Sequence, residues 1–269
     1  MSGPGQQRAG RYLLIASALI HLLAVALLAL PGHRWRLALA LVLGNHLALT
    51  IAGLWPRCRL LGPNHTRLAP HARSAGAVAL TIDDGPDPAV TPQVLDLLAR
   101  HGAKATFFCI GERVAAHAEL ALEIVRQGHL IGNHTQHHRL DFSLLGPRGI
   151  RREIATAQSA IGTTTGAQPR YFRAPAGLRN LFLEPVLMAE KLELVSWTRR
   201  GFDSVAGNPA VVLARLTRNL RAGDILLLHD GHAALGADGV PVILAVLPAL
   251  LATIEAAGLS TVTLAGALD

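Results

Sequence analysis

Two adjacent carboxylates, Asp83 and Asp84, close an apolar run at Thr81-Ile82-Asp83-Asp84-Gly85, and four other stretches carry groups of matching chemistry. These are His134-Thr135-Gln136-His137-His138, Arg173-Ala174-Pro175-Ala176-Gly177, residues 197–203, and Ile225–His229. Two Asp, a His pair, an Arg, a further Asp and a final His suit metal-assisted hydrolysis, in which a cation activates water and side chains move protons. His134 and His138 are four residues apart, a spacing that turns both imidazoles toward one ion from a single helical turn. His134 with His137, three apart, meets the same condition, and the spacing alone leaves both pairs open. Asp87, before Pro88, reads as turn chemistry.

Each stretch ends a run that reads as a β-strand. Strands are expected at 77–82, 105–110, 129–133, 170–174, 192–197, 224–228 and 260–264. Amphipathic helices are expected between them at 91–101, 112–127, 149–161, 181–190, 209–221 and 242–256. Strand and helix alternate, the pattern of repeated βα units. Thr91-Pro92 reads as an N-cap followed by proline in the first turn. In a barrel of parallel strands, residues just past the strand ends meet at one mouth, so groups distant in sequence can build one site. Seven strands are more than a short open sheet needs. The expected fold is α/β, a barrel of about seven strands that need not close fully, with a doubly wound sheet as the alternative.

The chain carries a formal charge of +7 over 269 residues, unevenly placed. Residues 1–73 hold eight Arg and no Lys, Asp or Glu, so the remainder is close to −1. The basic character therefore belongs to the N-terminal segment and gives no reason to expect a nucleic-acid partner. Apolar runs at 12–30 and 37–55 are each near the ~20 residues that cross a bilayer, and a short turn joins them, which reads as a membrane hairpin. A cleaved signal peptide is the rival for the first run, weakened by the second run and by the lack of a small-x-small cleavage site. His21, Asn45 and His46 fall near the middles of the runs, where hydrogen bonding between helices is the simplest role. The expected division is a hairpin over 1–55, a linker over 56–76 and a catalytic domain over 77–269, held at the cell (inner) membrane. The Arg distribution places both termini in the cytoplasm. Cys58 and Cys109 read as unpaired, Cys109 as a small core residue.

Thr-x-Asp-Asp-Gly together with His-Thr-x-x-His, in the order of the five stretches, resembles the polysaccharide deacetylase family, which includes chitin and peptidoglycan deacetylases. The resemblance runs from Val78 to about Leu264. It implies a distorted (β/α) barrel and a divalent metal, usually Zn2+, held by Asp84, His134 and His138. It further implies Asp83 as general base paired with Arg173, His229 as general acid oriented by Asp203, and an oxyanion and substrate wall at the Ala176 backbone N–H and Leu227. The implied partner is an acetylated amino-sugar glycan or a lipid-linked sugar, and the implied reaction removes an N-acetyl group. The family's usual location, outside the cytoplasmic membrane, conflicts with the Arg distribution.

Three positions depart from the family pattern. Ala176 stands where a large side chain is usual, Arg200 replaces a common Asp, and Ser204 replaces the usual Trp. The catalytic groups remain while the sugar-facing wall changes, which favours a substrate other than an extended polymer. Arg179, Arg199 and Arg200 read either as an anion site beside Arg173, suited to phosphate, or as solvated loop residues. A silent glycan-binding protein on the same barrel is the alternative function, and loss of Asp83 or His229 would have been its signature.

Overall fold

The computed structural model describes residues 4–32 and 34–268. Residues 1–3, His33 in the expected hairpin turn, and Asp269 lie outside the described residues.

The chain begins with two long helices, α1 (Pro4–Ala29) and α2 (Trp35–Leu54), packed against each other, and a short α3 (Pro70–Ser74) follows. The alternating part then runs β1 (Ala77–Asp83), α4 (Thr91–Arg100), β2 (Thr106–Cys109), α5 (Gly111–Ala116), α6 (Ala118–Arg126), β3 (Leu130–Asn133), α7 (Pro147–Thr165) and β4 (Tyr171–Phe172). It continues with α8 (Leu183–Ala189), β5 (Glu193–Leu194), β6 (Arg199–Arg200), α9 (Pro209–Thr217), β7 (Ile225–His229), α10 (Val242–Ala256) and β8 (Ser260–Val262).

The strands form one parallel sheet in the order β5-β4-β3-β2-β1-β7-β6, with β8 pairing to the start of β1. This is the curled, barrel-like architecture expected from the sequence. The two ends of that order belong to one stretch of chain. Its first part, β5, pairs with β4, and its last part, β6, pairs with β7, so residues 193–200 bring the sheet round on itself. The sequence placed a loop where β6 lies, because Arg199-Arg200 has no apolar signal.

All seven residues of β1 are buried, as a parallel strand covered on both faces requires. Val78, Leu80 and Ile82 join the large apolar cluster beneath α4, α9 and α10, while Ala77 and Ala79 face the barrel interior with Phe108, Tyr171 and Val195. Small residues on the inner face leave room for those aromatic rings. A third cluster packs α7 and α8 against Phe172.

Two helix details differ from expectation. Thr91 does not cap α4. Asp87 Oδ1 accepts from the N–H groups of Ala89 and Val90 at 2.9 and 3.2 Å, while the Thr91 hydroxyl donates to Asp230 at 2.5 Å. The expected 112–127 helix is broken into α5 and α6 at His117, whose backbone leaves the helical region (φ −127°, ψ 55°).

Within the hairpin, Asn45 donates to Ser17 Oγ at 2.9 Å, and His21 and His46 meet through their Nε2 atoms at 3.3 Å. The polar mid-run residues thus satisfy one another between helices. Both helices are long and apolar enough to cross a bilayer, and only 17% of each apolar window is buried, which separates them from core helices. The docking end of the hairpin is the start of α1 and the end of α2. There Leu13, Leu49 and Ala52 cluster with Cys58, Leu61 and Leu181. Residues 56–76 are ordered against the barrel. His65 pairs alongside Val195 and Leu68 enters the interior cluster.

Candidate active site

Strand parity sets the first catalytic candidate. Asp83 shares the inner face of β1 with Thr81, and the Arg173 guanidinium reaches both, donating through Nη1 to Asp83 Oδ1 at 2.7 Å and to Thr81 Oγ1 at 2.8 Å. Arg173 is fully buried, and its other donors go to the carbonyls of Val195 and Ser196 at 3.2 and 3.1 Å. The guanidinium lies 4.1 Å from the centre of the Phe108 ring. Burial lowers the Arg173 pKa and Asp83 opposes that. A buried ion pair of this kind persists because every guanidinium nitrogen is hydrogen-bonded, and removing either partner strands a charge.

Asp84 has a left-handed backbone (φ 75°), which breaks the strand alternation and brings the second carboxylate to the same mouth. Its Oδ1 lies 3.1 Å from His134 Nε2 and 3.3 Å from His138 Nε2. Ligand atoms of Asp84, His134 and His138 all fall within 4.8 Å of one another. That same Oδ1 is buried and accepts no hydrogen bond, a costly state for a carboxylate unless a cation takes the lone pair. His134 Nδ1 donates to the Arg173 carbonyl at 2.8 Å, which fixes the tautomer and leaves Nε2 as a lone pair facing Asp84. Burial first, then the neighbouring His134, lowers His138 to a pKa of about 4, so its imidazole is neutral near pH 7. Burial alone would lower His134, but Asp83 and Asp84 raise it; burial pushes Asp84 up, yet His134 and His232 hold it well below the usual carboxylate range. One carboxylate and two imidazoles form a donor set that fits a divalent transition ion and leaves coordination positions open.

The two His pairs left open by spacing are separated by geometry. His137 lines the cleft but lies outside the ligand cluster, its Nδ1 donating to the buried Glu153 on α7 at 2.9 Å while Glu153 also accepts the His137 backbone N–H at 3.1 Å. Residues 134–138 are not a helical turn, contrary to the spacing argument. They form a loop with left-handed backbone at Thr135 (φ 67°) and His138 (φ 47°), pinned by Asn133 Oδ1 to the Thr135 N–H and by Thr135 Oγ1 to the His138 N–H. The four-residue spacing therefore works through a different backbone path.

His229 ends β7 opposite Asp83 in the parallel register. Its Nδ1 meets Asp203 Oδ1 at 2.9 Å, and its backbone N–H donates to Asp203 Oδ2 at 2.7 Å. Both oxygens of this fully buried Asp are thus used on one residue, leaving His229 Nε2 for the cleft. Burial would lower the His229 pKa, but Asp203, with Asp83 and Asp84 beyond it, raises it.

Asp83, Asp84, His134, His138 and His229 line one cleft of about 530 Å3, together with Ala176, Leu227, Trp197, Arg200 and Ser204, while Arg173 and Asp203 are buried behind it. Ala176 has a left-handed backbone (φ 53°) in the turn after β4. Of Arg179, Arg199 and Arg200, for which an anion site and solvated loop positions were both open, Arg200 alone lines the cleft. Arg199 pairs with Asp224 at 2.7 Å and caps carbonyls of Arg218 and Asn219, and buried Arg179 donates to the Cys58 carbonyl. The three do not converge, because strand pairing turns Arg199 outward and hairpin docking engages Arg179. The sequence also understated two residues. His232 Nδ1 lies 3.2 Å from Asp84 Oδ2, and Arg113 on α5 donates to the Asp84 carbonyl at 3.0 Å and to His232 Nε2 at 3.2 Å. The His229-x-x-His232 spacing was their only sequence signal.

Residues 71–193 match the model of the polysaccharide deacetylase family. A peptidoglycan-N-acetylglucosamine deacetylase of Bacillus cereus is 36% identical over 156 residues, covering 57% of this chain and 72% of that protein. The chain belongs to the polysaccharide deacetylase family. As a polysaccharide deacetylase it is a hydrolase of amide bonds. A chitooligosaccharide deacetylase of Sinorhizobium fredii is 40% identical over 159 residues, covering 58% of this chain and 73% of that protein. Among solved structures, a family 4 carbohydrate esterase from Streptomyces lividans in complex with acetate superposes with a TM-score of 0.63 at 29% identity, over 69% of this chain and 91% of that one. A family 4 pseudoenzyme from Bacillus anthracis shares the fold, with a TM-score of 0.68 at 24% identity over 79% of this chain and 71% of that one.

Proposed function

We propose that this protein is a membrane-anchored, metal-dependent N-deacetylase acting on an acetylated amino sugar, either in a cell-envelope glycan or on a lipid-linked intermediate. The observation that carries the reading is that Asp83, backed by buried Arg173, and His229, backed by buried Asp203, line one cleft with a buried, unpaired Asp84 oxygen facing two imidazole nitrogens. The peptidoglycan and chitooligosaccharide specificities of the two bacterial relatives support N-acetylglucosamine as the sugar.

Asp84, His134 and His138 are the residues that would hold a divalent cation, and zinc suits their donor set. When bound, such an ion supplies Lewis-acid polarisation of the acyl oxygen and acidifies water. Asp83 Oδ2, not engaged by Arg173, takes a proton from the attacking water. Arg173 holds the other oxygen, Oδ1, and so fixes the direction of Oδ2. The Ala176 N–H and the wall at Leu227 receive the acyl group as its oxygen gains charge. His229, held by Asp203 and raised in pKa, donates its proton to the departing amine. The raised His229 pKa favours the protonated form that an amine leaving group requires.

Asp83→Asn tests the base directly. The variant should retain its metal by elemental analysis yet lose turnover of an acetylated chitooligosaccharide by ~10²–10⁴-fold. Undiminished acetate release would remove Asp83 from that role. Presence of both Asp83 and His229 weighs against a silent glycan binder. For the domains, we assign residues 1–55 to the anchor, 56–76 to the connection and 77–269 to the catalytic domain.

A further inference from the structure

A second cavity, of about 420 Å3, lies between the hairpin and the barrel mouth. One wall is α2, through His46, Thr50 and Leu54, and the other is formed by Leu144, Arg179 and Phe182 from the loops after β3 and β4. Those two loops also build the catalytic cleft. His138 and Leu140 line the cleft before the chain reaches Leu144, and Ala176 and Gly177 line it before Arg179. At 3.8 Å between consecutive Cα atoms, Gly177 and Arg179 are less than ~8 Å apart, and Leu140 and Leu144 less than ~16 Å. Asn180 ties the loops together, donating to the Ser143 and Leu145 carbonyls, both at 2.9 Å. The two cavities therefore adjoin across one pair of loops.

The groove is apolar over most of its length, and its loop tips expose side chains that a water-facing rim would not, Leu144 at 84% and Leu140 at 95%. From His46 to Leu54, α2 contributes ~12 Å of its axis, a stretch inside the run that is apolar enough to lie in a bilayer. Among the described residues lining it, Arg179 is the one formal charge, and no carboxylate is present. An occupant entering from the lipid phase along α2 would reach the loops that carry Ala176 and His138.

We propose that this groove holds the hydrocarbon chain of a lipid-linked acetylated amino sugar, so that α2 is a wall of the substrate site as well as an anchor. The inference rests on the N-deacetylase and anchoring reading and specifies its substrate class. It also gives the changed sugar wall at Ala176 and Ser204 a context, since a short headgroup held by its tail needs less of a polymer groove.

The test uses the full chain in phosphatidylcholine nanodiscs with two probes, the methyl and dodecyl β-glycosides of N-acetylglucosamine. Binding is measured at equilibrium, and acetate release is followed separately. Wild-type protein should prefer the dodecyl probe at least tenfold in affinity. Thr50→Trp and Leu144→Trp, at exposed positions that tolerate a large side chain, should reduce that ratio below threefold. Leu22→Trp, also exposed, on α1 but outside the groove, should keep it. Partitioning of the longer probe into the nanodisc is common to all four proteins and cancels in the comparison. No chain-length preference, or a preference unchanged in both groove variants, overturns the proposal. A preference without acetate release would refute the N-deacetylase reading and keep the groove; acetate release with no preference would do the reverse.

Discussion

Asp203 spends both carboxylate oxygens on His229, one on the ring and one on the backbone N–H. The ring contact raises the His229 pKa, and the active form of a general acid is the protonated one. Activity should therefore fall as pH rises through that raised value. Asp203→Asn keeps the shape and removes the charge, so the alkaline limb of the kcat profile should move to lower pH while the acid limb stays in place. A profile shifted on both limbs, or on neither, would show that Asp203 does not set the acid. The same pair contributes stability that is complete below the unfolded-state histidine pKa and is lost as pH rises through the folded-state value. Arg173 belongs to a different class of residue. Its four hydrogen bonds go to Asp83, Thr81 and two carbonyls, so its role is to fix the base in place.

At the scale of elements, the site depends on close approach between α5 and α7. A Cβ added at Gly111, the first residue of α5, would lie 2.8 Å from the Ala157 Cα, which is backbone and cannot yield. Gly111→Ala should cost ~1–3 kcal/mol in urea unfolding, and because Gly111 N–H donates to the Thr135 carbonyl at 2.9 Å, it should also disturb the loop carrying His134 and His138. The seam between 56–76 and β5 has its own pH dependence. His65 first, and Arg170 after it, lower the Glu193 pKa from about 4.5 to about 2. A depressed carboxylate contributes stability above its unfolded value and loses it as pH falls toward the folded one. Thermal stability should therefore decline between pH 5 and pH 2, and Glu193→Gln should flatten that part of the curve. A variant with the same acid slope as the wild type would exclude the seam as its source.

For the whole molecule, the hairpin and the barrel meet through Gly53, whose carbonyl accepts the Arg179 N–H at 3.2 Å, and through the cluster around Leu61. The two apolar helices otherwise expose most of their surface, including Leu19, Leu22, Leu43 and Leu47. Exposed apolar area on this scale marks contact with lipid or protein rather than water. The full chain should accordingly stay in the membrane pellet after alkaline carbonate extraction and enter solution only with detergent. Recovery in the carbonate supernatant would end the anchoring reading and, with it, the lipid-tail groove.

The amino-acid sequence by itself determined the βα alternation, the strand ends that carry Asp83, Asp84, Arg173 and His229, and the apolar hairpin, because period and local residue type are encoded in neighbours along the chain. Its spacing left His137 and His138 equivalent, with His138 favoured only by the family resemblance; it left Arg179, Arg199 and Arg200 as either an anion site or solvated loop residues, and showed nothing of Glu153 or Arg113. Only the tertiary structure decided those points. Left-handed backbone at Asp84, Thr135 and His138, a buried carboxylate on α7, and the docking of α2 against Arg179 are set by packing between segments far apart in sequence. No local pattern carries that information, since each side chain's direction there depends on which distant partner satisfies it.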